Sequence, residues 1–230
     1  PQRRVFRERV DTLTLLAVNA QTASSRTVWT GRGMIAFLAT ALRDDEALVY
    51  HVDDSGARLF ALDATTGATR AVVEGMLPLA RDFSYDVTHD EVVFARAVRY
   101  GSEDYEVVSA PAHGPATRAS ALRVRWRAKS DRTMPRALGN GTVALSLPES
   151  FGLALLAAGA NTPHPEAPLG AGDDCALDET RDGRWIALRH TTHDREVIAL
   201  YAPGEGRVVT LDRPELYTEV VGLVATGVAP

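Results

Sequence analysis

The densest grouping of chemically versatile side chains lies near residue 190, where two histidines and an aspartate follow one another closely. They are His190, His193 and Asp194, in the sequence HTTHD. Imidazole and carboxylate groups are good ligands for transition metals, and a loop can bring such neighbours together around one ion. The segment lies between two strand-like runs, however, where a polar loop is ordinarily solvated. The sequence therefore favours a solvated loop, and we predict no metal site and no cofactor.

The sequence carries no motif for nucleophilic or phosphoryl-transfer chemistry. It has no Gly-x-Ser-x-Gly elbow, no phosphate-binding loop of Walker spacing and no His-Glu-x-x-His pair. The single cysteine, Cys175, follows Asp173 and Asp174, whose negative charges would raise the pKa of its thiol rather than activate it. We predict no catalytic residue, and the sequence favours a non-enzyme over an enzyme. The remaining histidines stand singly and are His51, His89, His113 and the loop residue His164.

The elements that must position such residues are short β-strands. Between Leu177 and Leu211 the chain reads as three strands, 185–189, 196–201 and 207–211, rich in β-branched, aromatic and aliphatic residues and separated by turn signals. Similar stretches recur upstream at a spacing that suits a four-stranded repeat unit of roughly 40 to 50 residues. Their turn anchors, 45, 50 and 42 residues apart, are Asp45, Asp90, Asn140 and Asp182.

The last of these units resembles a known repeat. The segment Asp182-Gly183-Arg184-Trp185-Ile186-Ala187, followed by a strand, a Gly-rich turn and a Val-Val strand, is similar to the TolB-like (PD40, or WD40-like) β-propeller repeat. Thr180-Arg181 replaces the Ser-Pro that usually precedes the aspartate in that repeat. The resemblance implies an all-β, bacterial β-propeller of four-stranded antiparallel blades. It also implies a periplasmic or secreted location.

We expect one β-propeller domain over residues 1–230. The chain ends supply strands that no internal unit uses: Thr12 to Val18 and Arg26 to Thr30 lack an inner strand, whereas Tyr217 to Ala225 looks like an inner strand with nothing after it. We predict a fifth, composite blade from 215–227 and 5–30, which would leave no exposed sheet edge. A fragment of a six- or seven-bladed propeller is the alternative. The internal units are expected at about 34–75, 78–120, 133–170 and 172–212.

The inner strands of a propeller line its central channel, so their polar residues converge from different blades. Converging carboxylates could act as general acids or bases, and mixed Arg and Asp would suit a small polar ligand. Charges that fill a hydrated channel and pair with one another are the simpler expectation. The candidate channel residues are Arg81, Asp82, Arg136, Asp173, Asp174 and Glu219.

Composition argues against several classes of function. The net charge is −5 and the pI is near 5.7, so nothing electrostatic supports a nucleic-acid partner. No apolar run reaches the length of a membrane span. One cysteine cannot form an internal disulfide, and the sequence does not distinguish a monomer from an oligomer.

The resemblance implies a non-catalytic binding module or scaffold that presents a rigid face and a channel to a protein or peptide partner. Arg, Trp and Tyr dominate interface hot spots. We therefore take Tyr100, Tyr105 and Trp126 as interface candidates. Two alternatives stay open: a propeller enzyme, a lyase or hydrolase acting on a saccharide or lactone at the channel, and the propeller cap of a larger peptidase of the prolyl oligopeptidase type.

Overall fold

The computed structural model describes residues 11–19, 21–43, 45–130, 132–147, 152–166, 168–180, 182–193 and 196–211. Over these residues the regular elements are all β-strands, apart from one short 3₁₀ turn at Ala119–Ala121. The expected all-β fold of antiparallel sheets is confirmed. No helix of the described chain is long and apolar enough to cross a membrane.

The chain divides into two compact units. The first comprises Pro1–Ala80 and Ala110–Leu122, and the second comprises Arg81–Ser109 and Arg123–Pro230. The first unit holds a two-stranded sheet, β1-β2, and a five-stranded sheet in the order β10-β6-β5-β4-β3. Its strands are β1 (Asp11–Val18), β2 (Ser25–Gly33), β3 (Ile35–Ala41), β4 (Glu46–Asp53), β5 (Gly56–Asp63), β6 (Thr69–Met76) and β10 (Thr117–Arg118).

The second unit holds three four-stranded antiparallel sheets, in the orders β11-β9-β8-β7, β12-β13-β14-β15 and β16-β17-β18-β19. The first of these consists of β7 (Ala80–Asp86), β8 (Glu91–Ala97), β9 (Tyr105–Pro111) and β11 (Arg123–Ala128). The second consists of β12 (Arg136–Ala137), β13 (Val143–Ser146), β14 (Leu153–Leu156) and β15 (His164–Glu166). The third consists of β16 (Asp173–Glu179), β17 (Ile186–Thr191), β18 (Glu196–Ala202) and β19 (Arg207–Thr210).

The middle strands of the sheets are buried on both faces. Strand β8 has four consecutive buried residues, and all of strand β13 is buried. Such continuous apolar runs are what a strand covered on both sides requires, in contrast to the alternating pattern of a half-exposed strand. The first unit contains a buried cluster of Val49, Phe60 and Leu62. Partly buried side chains that pack against it are Leu15, Val28 and Trp29.

The four predicted turn anchors lie where the first strand of a sheet turns into the second. Asp45 and Asp90 directly precede β4 and β8, while Asn140 and Asp182 lie a few residues before β13 and β17. Left-handed backbone is common in such turns, and Asn, Asp and Gly tolerate it best. Three of them contain a residue of positive φ, namely Asp90 at 53°, Gly141 at 78° and Gly183 at 69°.

Thr180 stabilises the turn at Asp182, where the repeat departs from the usual Ser-Pro. Its hydroxyl donates to Asp182 Oδ1 at 2.6 Å and accepts from the backbone N–H of Trp185 at 3.0 Å. Strand β17 begins at Ile186, one residue later than the sequence predicts, because Trp185 completes this turn.

Two strands have partners that the sequence does not predict. Thr117-Arg118 pairs in parallel with Val73 and Glu74 of β6, and Arg123–Ala128 is the outer strand beside β9. His164, expected in a loop, lies in strand β15. Because β15 is at the edge of its sheet, Pro165 costs no ladder hydrogen bond that the sheet needs.

The predicted composite blade cannot be followed in the structure. Its C-terminal part, 215–227, and residues 5–10 lie outside the described residues. Among the described strands, β1 and β2 pair only with each other. Closure by both chain ends therefore stays a prediction.

Candidate functional site

The candidate channel residues lie on the first strand of each sheet in the second unit. Strands β7, β12 and β16 each form one edge of their four-stranded sheets. Of the six candidates, Glu219 lies outside the described residues. The other five occupy these edge strands: Arg81 and Asp82 on β7, Arg136 on β12, and Asp173 and Asp174 on β16.

Strand β16 sends its two adjacent aspartates to opposite faces, because successive side chains of a strand alternate. Asp173 pairs with Thr191 of β17, and Cys175 pairs with Arg189, so these four side chains share one face. Asp174 lies on the other face, fully buried. The structure therefore separates two residues that the sequence places together.

The shared face of β16 and β17 lines a pocket of about 210 Å³. Among the described residues, neither Arg132 nor Arg189 of this pocket forms an ion pair with a carboxylate. Asp173 Oδ1 is shielded from solvent and has no hydrogen-bond partner among them. The pocket is lined by Arg132, Met134, Ser146, Asp173, Cys175, Arg189 and Thr191.

Cys175 is a neutral thiol at the base of this arrangement. Burial raises the pKa of Cys175, Arg189 acts in the opposite direction, and the negative charge of Asp82 adds to the increase. The raised pKa expected from the sequence is confirmed, although burial rather than the neighbouring aspartates is its chief cause. The electrostatic influence of Asp82 and Arg136 on this thiol also shows that β7 and β12 bring charges close to the pocket.

Two arginines on the neighbouring edge strands each lie beside a carboxylate. Arg136 Nη2 contacts Asp178 Oδ1 at 2.8 Å. Arg81 Nε lies 3.5 Å from Asp82 Oδ2, and its guanidinium lies 5.3 Å from the centre of the Tyr105 ring. These contacts restrict the rotamers of the two arginines, so each cation is held in place before any ligand arrives.

Two backbone positions beside the pocket adopt a conformation that is uncommon for residues with a side chain. Asp82 has φ of 55° and Met134 has φ of 36°. Left-handed backbone costs energy at non-glycine positions and concentrates at binding and active sites. Both residues border the same surface of the second unit, which supports a functional role for it.

Comparison with solved structures gives the fold. The chain superimposes on TolB from Acinetobacter baumannii with a TM-score of 0.65 at 14% identity, covering 88% of this chain and 49% of that one. The fold is that of a TolB-like β-propeller. Thus the resemblance noted in the sequence holds in three dimensions, and the chain spans about half the length of that TolB.

Other propellers match this TolB-like chain at similar levels. The TolB structure from Agrobacterium tumefaciens aligns with a TM-score of 0.61 at 13% identity, covering 90% of this chain and 72% of that one. An oligogalacturonate lyase in complex with manganese also aligns with a TM-score of 0.61 at 13% identity, covering 85% of this chain and 58% of that one. No family model and no curated protein sequence matches the chain. At these identities the comparisons establish the fold alone.

The sequence suggested that His190 lies in a solvated loop, and this prediction is wrong. His190 is the penultimate residue of β17, is only 4% exposed, and its Nδ1 lies 2.8 Å from Asp174 Oδ1. Sequence reasoning missed this pair because sixteen residues separate its members and only strand register brings them together. Among the described residues, no three His, Cys, Asp or Glu side chains are grouped so as to hold a metal ion; Asp194 lies outside them.

The predicted interface residues have different environments. Tyr100, in the turn between β8 and β9, is 64% exposed. Tyr105 lies beneath Arg81, and Trp126 packs against the buried cluster that contains Val93 and Val107. Of the three, Tyr100 has most of its ring surface available to a partner.

Proposed function

We propose that this TolB-like propeller is a non-catalytic binding module. It holds a protein or peptide partner against the inner-edge surface, defined here as Arg81, Asp82, Arg136 and Asp173 on strands β7, β12 and β16. In keeping with the resemblance, we place the module in the periplasm or among secreted proteins. The oligogalacturonate lyase among the similar structures keeps a saccharide ligand as the competing proposal.

The proposal is supported by contacts that restrict the side chains of the two arginines on this surface. Arg81 lies against the Tyr105 ring, and Arg136 is fixed by Asp178. Arginine and tyrosine are the residue types that contribute most to protein interfaces, and side chains already ordered lose less entropy on binding. The surface also mixes both charges, so it suits the polar backbone and charged side chains of a polypeptide.

Capture of a partner followed by a purified binding assay tests the proposal. The purified chain serves as bait in separate envelope and cytosolic extracts of the source cells, with mass spectrometry as the readout. The captured protein is then produced pure, and its Kd is measured by calorimetry. We expect Arg81→Glu and Arg136→Glu each to weaken binding by about tenfold or more, which corresponds to about 1.4 kcal/mol.

A matched charge reversal controls for the change in net charge. Arg184 lies in an exposed turn of the same unit, where it pairs with Glu205. Arg184→Glu should therefore leave the Kd within about twofold. If the Kd values of all three variants equal that of the wild type, the partner does not use the inner-edge surface. If no protein is captured while a uronic-acid oligosaccharide binds the purified chain, the saccharide proposal replaces this one.

A further inference from the structure

The pocket beside Asp173 has features that point to one kind of ligand. Arg132 and Arg189 line it and, within the described residues, meet no carboxylate. Asp173 Oδ1, in the same lining, is an acceptor withdrawn from solvent and without a donor in the part of the chain that the structure describes. A buried acceptor without a partner is rare in folded proteins, so a ligand that supplies a donor would satisfy it.

The Arg189 guanidinium and the Asp173 carboxylate are close enough for one small ligand to contact both. Asp173 and Arg189 are diagonal neighbours across β16 and β17, since Asp173 pairs with Thr191 and Cys175 pairs with Arg189. Diagonal neighbours across antiparallel strands lie about 7 to 8 Å apart. The volume of about 210 Å³ is below the range of about 300 to 1,000 Å³ typical of drug-sized ligands, so it suits a single residue.

The remaining lining residues favour an anion next to the arginines. The pKa of Cys175 is raised by burial, so the thiol is neutral near pH 7 and does not repel a negative charge. The hydroxyl of Ser146 is already used, since it donates to the backbone carbonyl of Asp174 at 2.5 Å. The pocket therefore offers cationic donors and a carboxylate acceptor to the same ligand.

We propose that this pocket binds the C-terminal residue of a peptide. The terminal carboxylate contacts Arg132 and Arg189, whose guanidinium groups match the geometry of a carboxylate. The amide N–H of the same residue donates to Asp173 Oδ1. This inference rests on the proposed function and specifies which part of a polypeptide partner enters the site. In a mid-peptide aspartate or glutamate the backbone N–H is one or two bonds farther from the side-chain carboxylate, so the two groups fit the pocket less well.

Titration with a pair of dipeptides tests this inference on the whole chain. The probes are N-acetyl-Ala-Ala with a free carboxylate and its C-terminal amide, each followed by NMR or calorimetry. We expect the free acid to bind at least tenfold more tightly than the amide. Arg189→Gln and Arg132→Gln should each remove most of that difference, whereas Arg189→Lys should retain part of it. Asp173→Asn should weaken the free acid because it loses the charged acceptor.

A control variant and a second ligand complete the design. Arg99 is an exposed arginine in the turn between β8 and β9 and does not line the pocket, so Arg99→Gln should bind both probes like the wild type. Because Arg132 is exposed, its replacement should not impair folding, which a thermal melt checks. Galacturonate is titrated in parallel, since it carries a carboxylate and hydroxyl donors.

The outcomes separate this inference from the proposed function. Equal binding of free acid and amide, or tighter binding of galacturonate, would overturn the C-terminal assignment. If neither dipeptide binds but a captured partner is still lost on Arg81→Glu, the binding module stands and the pocket assignment fails. If the free acid binds selectively and amidation of a captured partner's C-terminus abolishes capture, both are supported.

Discussion

Asp173 and Asp174 are neighbours in the sequence, but strand alternation directs their side chains to opposite faces of β16. Asp173 lines the pocket and its Oδ1 has no hydrogen-bond partner among the described residues, while Asp174 is buried with its Oδ1 against His190. Burial raises the pKa of Asp174, although its hydrogen bond with His190 acts in the opposite direction. The two residues are therefore expected to respond very differently to substitution.

Replacing Asp174 with alanine should destabilise the protein strongly. His190 would remain buried without its hydrogen-bond partner, and leaving a buried polar group unsatisfied costs about 1 to 3 kcal/mol. Asp173→Ala removes an unpaired carboxylate and should change the free energy of unfolding by less than about 1 kcal/mol. Urea denaturation followed by circular dichroism measures both. Equal losses in the two variants would contradict the assigned roles.

Gly172 lies so close to His190 that a side chain at this position would contact the buried ring. A Cβ built at Gly172 would lie 2.4 Å from Cε1 of His190 and 2.9 Å from the carbonyl oxygen of Thr191. Gly172→Ala should therefore displace the buried ring and cost about 1 to 3 kcal/mol beyond any backbone strain.

Gly170→Ala provides a control for the cost of adding a Cβ at a positive φ. Gly170 has φ of 83° and Gly172 has φ of 152°, where side chains are rarer still, and the Cβ added at Gly170 would meet no atom within 4 Å. Its cost should be limited to the backbone term of about 1 to 2 kcal/mol. If thermal melts show that Gly170→Ala is as harmful as Gly172→Ala, the packing of His190 is not the cause.

At the scale of elements, we call Ala110–Leu122 the crossover segment. Side-chain contacts, as well as strand β10, attach it to the rest of the first unit. Glu46 accepts from Arg70 at 2.9 Å and lies 2.9 Å from His113 Nε2. Arg70 also donates to the carbonyl oxygen of Ala112 at 2.7 Å. Burial on its own would raise the pKa of Glu46, but the hydrogen bonds with His113 and Arg70 outweigh it, so that pKa is lowered.

The lowered pKa of Glu46 predicts a pH-dependent attachment of the crossover segment. A carboxyl group with a depressed pKa stabilises the fold above its unfolded-state pKa, near 4.5, and this contribution is lost as pH falls through the folded-state value. Glu46→Gln should lower stability at pH 7 by about 1 to 2 kcal/mol, discounted for partial exposure, and the difference should shrink under acid conditions. Hydrogen exchange at Thr117 and Arg118 reports the attachment directly.

Glu74 offers a control on the neighbouring strand. It pairs with Arg118 at 3.5 Å, but both side chains are exposed. Glu74→Gln should change stability by less than about 0.5 kcal/mol at any pH. A comparable loss from Glu74→Gln would mean that general surface charge, rather than the Glu46 cluster, holds the segment.

At the scale of the whole molecule, the predicted closure by both chain ends can be tested by truncation. Deleting 5–30 would not isolate closure, because it also removes Trp29, whose ring lies 5.3 Å from the ring of Phe60. Deleting 212–230 leaves that contact intact. If residues 215–227 complete a blade with the N-terminal strands, this truncation exposes sheet edges, lowers the melting temperature and promotes aggregation.

Removal of residues 1–4 serves as the comparison for that truncation. These residues precede the predicted composite blade, so their loss should leave melting unchanged. Light scattering and scanning calorimetry measure both variants. Unchanged melting after deletion of 212–230 would rule out closure through this segment.

Much of the fold was predictable from local sequence. Turn residues such as Asp90 and Asp182 recur at blade spacing, and backbone conformation at a turn is decided by the few residues within it. The positions of Arg81, Arg136 and Asp173 on the first, edge strands of their sheets followed from that repeat. Two exceptions are the parallel pairing of Thr117-Arg118 with β6 and the edge strand at His164, since strand partners are chosen by contacts distant in sequence.

The sequence by itself determined the all-β repeat and the strands that carry the candidate residues, because strand period and turn chemistry are local properties. Only the tertiary structure decided which face of β16 each aspartate occupies, that His190 is buried with Asp174, and that Arg189 and Cys175 share a pocket with Asp173. A shift of one residue in strand register would reverse each of these assignments. The register is set by packing across the sheet, which a single sequence does not display.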